Sequence, residues 1–172
     1  GCPTMPYYEI VKENGDYYLS MGLTAEQVAN DFKVSREDQD AFALASHQKA
    51  INAIEQGYFK KGILPITVKD VYVNEKGKRA EREIIVDTDE GPRADTSMAA
   101  LAKLPPVFAA GGSVTAGNSS QTSDGAAFVI VMGEKLMNQL GLKPWGRLVN
   151  CASAGVDPRI MGIGPIAAVP KV

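Results

Sequence analysis

The sequence predicts an α/β chain. Three observations carry that reading. Helical periodicity opens behind Thr24 and again behind Ser35, a charged β-hairpin signal lies between Ile66 and Val86, and Gly125 to Met132 forms a continuous apolar run.

From Gly1 to Tyr17 the prolines Pro3 and Pro6 and the tyrosines follow no period, so this segment reads as a loop continuing from something earlier. Thr24 then begins TAEQVANDF as a helix. Its hydroxyl can cap the backbone, Gln27 completes a capping box, and Ala25, Val28, Ala29 and Phe32 share one face. Ser35 starts a second helix. Glu37 and Asp38 suit the positive end of its dipole, Leu44, Ile51 and Ile54 form its apolar stripe, and Gly57 stops it. After Gly62 the pattern turns β-branched, and NEKGK around Gly77 folds Ile66–Val73 back on Ile84–Val86. The hairpin is so rich in charge that its tip must face solvent or another subunit. DTDEGPRADTS follows as a loop forced by Gly91 and Pro92, and a short helix from Ser97 to Leu104 ends at Pro105 and Pro106.

VTAGNSSQTSDGAAFVIVM, from Val114 to Met132, is the most informative stretch. Gly117, Ala116, Ser119 and Ser120 leave room for a ligand or another main chain to approach the backbone. The run that follows, with Phe128, Val129, Ile130 and Val131, is apolar without alternation and reads as a strand buried on both faces. Glu134 to Leu140 is a helix closed by Gly141, Trp145 to Ala152 is a further strand, and Pro165 suits the first turn of a final helix. That helix begins as the sequence ends, so the chain is expected to be a piece of a longer protein.

At 172 residues with 45% hydrophobic and 22% charged residues, the composition is that of a globular protein. A net charge of −2 and a pI near 5.5 give no electrostatic reason for nucleic acid or an anionic membrane as partner. No apolar window is long enough to span a bilayer and no secretory leader is visible, so the expectation is a soluble, cytoplasmic protein. Cys2 and Cys151 then read as free thiols, and a lone histidine, His47, leaves few candidates for a metal site.

Several residues invite chemistry. Gly112 to Ser119, GSVTAGNS, approaches a phosphate-binding loop, but Asn118 stands where the lysine would be. Asn118-Ser-Ser is formally a glycosylation acceptor, of no use to an unsecreted chain. Cys151 can be read as a nucleophile, although its place inside a strand favours a buried structural thiol. His47 lies at the margin of an apolar stripe, where a neutral, hydrogen-bonded packing role is favoured. Arg93, among Asp87, Asp89, Glu90 and Asp95, can bind phosphate or hold its loop through carboxylates; spacing alone favours the second. Met161, in a Gly-rich turn, can line an apolar pocket or fill a core gap.

Taken together, MGLTAEQVANDFKVSREDQDAFALASHQKA, DTDEGPRADTS, LAKLPPVFAAGGSVTAGNSSQTSDGAAFVIV and GVDPRIMGIGPIAAVPK resemble the thiolases, the acyl-CoA acetyltransferases, in that family's order and over nearly the whole chain from Tyr17. DEGPRADTS and GNSSQTSDGAA are most similar to the 3-ketoacyl-CoA thiolases of fatty-acid oxidation. The resemblance implies part of a five-layered α-β-α-β-α sandwich. Residues 1–112 would be an inserted loop domain of α+β character covering coenzyme A, residues 113–141 the end of the N-terminal half, and residues 142–172 the truncated start of the C-terminal half. It further implies that Arg93 lies near the nucleotide end of coenzyme A, that Ala116, Ser119 and Ser120 flank its pantetheine arm, and that Met161 sits near the acyl pocket. Biosynthetic relatives often carry a CoA-contacting serine where Ala100 stands, which leaves that contact open.

The activity implied is transfer of an acetyl group between 3-ketoacyl-CoA and coenzyme A through an acetyl-cysteine intermediate, with coenzyme A as substrate and no covalently bound cofactor. Homodimers or homotetramers are implied as the assembly. The family's nucleophilic cysteine lies upstream of these motifs, and its NEAF, GHP and CxG motifs lie downstream. Cys2, Cys151 and His47 stand in none of them. The chain is therefore expected to supply binding and oligomer surface without catalytic residues of its own. The alternative is a non-catalytic thiolase-like module that binds acyl-CoA or a partner chain.

Overall fold

A computed structural model describes residues 5–172, so Cys2 lies outside the described residues. Two compact units are formed. One comprises the chain up to Ser35 with Pro106–Val114 and Ser120–Val172, and the other comprises Arg36–Pro105 with Thr115–Ser119.

The first unit opens with α1, Tyr8–Asn14, where the sequence suggests a loop. All its residues are exposed, so there is no apolar stripe to betray it; Glu9 in its first turn and Lys12 in its last complement the helix dipole. A 3₁₀ turn, Gly15–Tyr18, leads to α2, Met21–Phe32. The start of α2 corrects the expectation placed on Thr24. Ser20 is the cap, its Oγ accepting from the Leu23 amide at 3.4 Å, because it offers the same capping chemistry one turn earlier. Thr24 then falls inside the helix, where its hydroxyl donates to the Met21 carbonyl at 2.8 Å, and Gln27 donates to Asp31 at 2.6 Å instead of closing a capping box. The buried positions are Gly22, Thr24 and Glu26, not the predicted Ala25 and Phe32. Gly22 is small enough for the Phe108 ring to lie over its backbone, and Glu26 is drawn inward by hydrogen bonds. Lys33 ends the helix in the left-handed conformation, φ 58°, with the Val34 amide reaching back to the Ala29 carbonyl.

The second unit is led by α3, Arg36–Glu55, which begins directly after Ser35 with Glu37 and Asp38 in its first turn. Leu44, His47, Ile51 and Ile54 are half-buried along one side, and Gly57, φ 71°, turns the chain away as expected. The hairpin forms around Gly77 with a second strand longer than the expected Ile84–Val86, because the charged residues next to the turn also join the ladder: β1, Ile66–Val73, pairs antiparallel with β2, Arg79–Val86, from Ile66 opposite Val86 to Val73 opposite Arg79. The Asn74 Oδ1 accepts from the Lys76 and Lys78 amides, and Gly77 takes φ 70° at the tip. Arg82 donates to Asp70 across the strands at 2.8 Å while its guanidinium lies 4.9 Å from the Tyr72 ring centre. The short α4, Met98–Leu101, is capped by Ser97 and ends earlier than the predicted Leu104 because the chain tightens into turns before Pro105. Leu101, 3% exposed, shares this unit's interior with Asp40 and Thr115.

Back in the first unit, α5 spans Glu134–Gln139 and closes through Gly141, φ 62°. The two strands expected around it are absent. Residues 120–133 and 146–157 form no ladder, Phe128 is 96% exposed and Trp145 is fully exposed. An apolar, β-branched run favours a strand only when another strand supplies its hydrogen bonds, and β1–β2 is the one sheet among the described residues. Further on, a 3₁₀ turn, Pro158–Ile163, packs on α2, with Gly162 facing Val28. Then α6, Gly164–Ala168, carries Pro165 in its first turn.

Candidate functional site

In the second unit, the loop Thr115–Ser119 is held by a chain of side-chain hydrogen bonds. The Asn118 Oδ1 accepts from the Thr115 amide at 2.7 Å, the Thr115 Oγ1 accepts from the Gly117 amide at 3.2 Å, and the Ser119 hydroxyl donates to the Thr115 carbonyl at 2.7 Å. Asn118 Nδ2 also donates to Asp40 Oδ1 at 3.0 Å, and Arg36 Nε donates to Asp40 Oδ2 at 2.8 Å. The Arg36 Nη2 reaches the carbonyls of Leu101 and Leu104, which ties the end of α4 to the start of α3. Gly117 lies so close to Leu101 and Leu104 that an added Cβ would meet both side chains at 2.5 Å. The loop thus turns Thr115 and Asn118 inward and leaves Ala116 and Ser119 exposed with small side chains.

Arg93 stands elsewhere in the same unit, on a shallow cavity of about 320 Å³ lined also by Gln48, Ile51, Asn52, Glu55 and Thr96. Its amide donates to His47 Nδ1 at 3.1 Å, so the half-buried imidazole serves as a hydrogen-bond acceptor on that nitrogen. The guanidinium forks onto Asp95, with Nε–Oδ1 at 3.3 Å and Nη2–Oδ2 at 3.2 Å. Those hydrogen bonds, and then the opposite charge, raise the Arg93 value and hold the Asp95 carboxyl below the ordinary carboxylate range. Both side chains are well exposed, so the pair fixes the loop's shape more than its stability.

Ser120 and Met161 belong to the first unit and are exposed, Met161 within the Pro158–Ile163 turn. In that unit Glu26, 6% exposed, accepts from the amides of Ser113 and Val114 and from the Ser113 hydroxyl, at 2.8–3.1 Å. The amides of Ser113, Val114, Thr115 and Gly117 are all spoken for by the chain's own side chains, which removes the phosphate-loop reading of Gly112–Ser119. Cys151 is a free, exposed thiol, not the buried one expected, because the strand that would have enclosed it does not form. No group of three or more potential metal-binding side chains occurs among the described residues, and no helix there is long and apolar enough to cross a membrane.

Sequence reasoning passed over Glu26, Arg36, Asp40 and the inward turn of Asn118. The Arg36–Asp40 pair was visible as a charge couple at helical i, i+4 spacing, although nothing local distinguishes a buried couple from a solvated one. Glu26 left no such mark, since its partners lie 87 residues away or more.

Residues 10–135 match the family model for the thiolase N-terminal domain. The chain is 46% identical over 171 residues to the 3-ketoacyl-CoA thiolase of Bacillus subtilis, covering 99% of this chain and 44% of that protein. To the acetyl-CoA acetyltransferase of Pseudomonas aeruginosa it is 51% identical over 153 residues, covering 89% of this chain and 36% of that one. Among solved structures, the dimeric peroxisomal thiolase of Saccharomyces cerevisiae matches with a TM-score of 0.81 at 39% identity, over 98% of this chain and 40% of that one. The chain therefore spans less than half the length of these relatives, and its α/β fold is part of theirs. With the family model covering most of its residues, the chain belongs to the thiolase family.

Proposed function

We propose that this chain supplies coenzyme A and substrate-binding surface to a thiolase that moves an acetyl group between 3-ketoacyl-CoA and coenzyme A. The observation that carries the reading is the loop Thr115–Ser119, which keeps Ala116 and Ser119 small and exposed on a backbone braced from within. Such a wall suits a narrow, flexible chain like the pantetheine arm. In this reading Ser120 extends the wall, Met161 borders the acyl group, and Arg93 meets a phosphate at the nucleotide end, exchanging Asp95 for it.

In the complete enzyme a cysteine thiolate attacks the 3-keto carbon and the bond between C2 and C3 breaks. Acetyl-CoA leaves after protonation of its carbanion, and the remaining acyl group, an acetyl group when the substrate is acetoacetyl-CoA, stays on sulfur. The thiol of a second coenzyme A then takes it. Coenzyme A is substrate here, not a resident cofactor. The cysteine and its acid–base partners belong to the family's other motifs, so this chain alone is inactive. Degradation of fatty acids, a cytoplasmic location and a homodimeric or homotetrameric assembly are parts of the same proposal; the name of the 3-ketoacyl-CoA relative supports the first and that of the dimeric relative supports a dimer, while that dimeric relative is itself peroxisomal.

Calorimetric titration of the purified chain with coenzyme A tests the binding role. Measurable affinity that drops about tenfold in Arg93→Ala is expected for a lost charge-assisted phosphate contact. An affinity untouched by that change would remove Arg93 from the site, and thiolysis by the chain alone would overturn its assignment as non-catalytic.

A further inference from the structure

The polar groups behind Thr115–Ser119 form a relay whose every member is fixed by the one before. Arg36 is a pure donor, so Asp40, 2% exposed, presents Oδ2 to it and Oδ1 to Asn118. A carboxylate oxygen can face only the amide nitrogen of Asn118, which turns the Asn118 oxygen toward the Thr115 amide. Thr115, fully buried, then holds Gly117 through its Oγ1 and Ser119 through its carbonyl. Apolar groups of the same volume would fill this space with little loss of stability. They could not decide which way Asn118 points, and that choice sets the loop.

We propose that Arg36, Asp40 and Asn118 are positioning residues for coenzyme A, holding Thr115–Ser119 in the shape that accepts the pantetheine arm. The inference rests on the reading of that loop as the arm's wall. None of the three residues needs to touch the ligand.

An exchange of partners tests it. In Asp40→Asn the new amide nitrogen faces a second amide nitrogen, and in Asn118→Asp two carboxylates face each other. The double variant D40N/N118D restores donor to acceptor at each junction: the amide at position 40 accepts from Arg36 and donates to the carboxylate at 118, which still accepts from Thr115. Exchange of the Thr115 and Gly117 amides with solvent deuterium, followed by NMR, reads the loop directly; calorimetry with coenzyme A reads the wall. Each single variant should speed exchange about tenfold and weaken binding about fivefold, as expected for one or two lost hydrogen bonds, and the double variant should bring both back. Val68→Ala, which weakens the hairpin opposite Ile84 and takes part in none of the relay's hydrogen bonds, should leave affinity unchanged. Parent-like exchange in both single variants, a double variant no better than the singles, or an equal loss of affinity in Val68→Ala would each overturn the proposal. If a single variant fails to fold, the double variant decides: a folded chain with protected amides supports the relay, and an unfolded one overturns it. A parent chain that does not bind coenzyme A would sink the wall reading, while the exchange rates alone still show whether the relay sets the loop.

Discussion

Replacing Glu26 by alanine removes the acceptor for three donors at once. Val114 is 7% exposed, so its amide would be left without a partner in the interior, a loss of about 1–3 kcal/mol; water can reach the half-buried Ser113 amide and hydroxyl, which lowers their share. The expected total is about 3 kcal/mol, within the range seen when a buried hydrogen-bonded network is broken. Glutamine makes a sharper comparison. Its oxygen can take the Val114 and Ser113 amides from the Oε1 position and its nitrogen can donate to the Ser113 hydroxyl, but the second branch of the Ser113 amide, to Oε2 at 2.9 Å, is lost with the charge, so the cost should be about 1–2 kcal/mol. Urea denaturation of the parent and both variants, read at constant m, measures the two values. An alanine variant that loses less than about 0.5 kcal/mol, or a glutamine variant as unstable as the alanine one, would refute the account of Glu26 as the anchor of Ser113 and Val114.

Further outcomes follow from the same geometry. Gly117→Ala would drive a methyl group to 2.5 Å from Leu101 and Leu104, so thermal unfolding should report a loss of about 1–3 kcal/mol; a neutral result would mean that these leucines yield freely. Asp95 should titrate below the ordinary carboxylate range in a side-chain NMR experiment and move up in Arg93→Ala. Because the folded-state value is the depressed one, the pair's contribution is complete above the ordinary range and disappears as pH falls through the folded value. An Asp95 midpoint indifferent to Arg93→Ala would show that the pair does not persist in solution.

Elements with local causes were legible. The acidic first turn of α3, the Gly57 stop, the NEKGK turn and the Gly141 closure are each decided within a few residues, and each appears where the residues place it. The start of α2 was misplaced because Ser20 and Thr24 carry the same capping chemistry, and which one acts depends on what the helix packs against. Val129 to Val131 was misread for another reason: composition gives a strand's preference but not its neighbour, and an unpaired strand cannot satisfy its own backbone. At the candidate site the small exposed residues Ala116 and Ser119 were visible in sequence, whereas the groups that brace them were not. Asp40 and Asn118 are 78 positions apart, and no pattern in either neighbourhood announces the other.

The separation of these partners orders events in time. Bringing Asp70 to Arg82 closes a span of 12 residues, at an entropic cost of about 2 kcal/mol, while joining Asp40 to Asn118 or Glu26 to Ser113 closes spans of 78 and 87 residues, at about 4 kcal/mol each. The hairpin and α3 can thus assemble early from local contacts, but the segment around Gly117 acquires its shape only once distant stretches of chain have met. During synthesis or refolding, that segment is among the last to become competent.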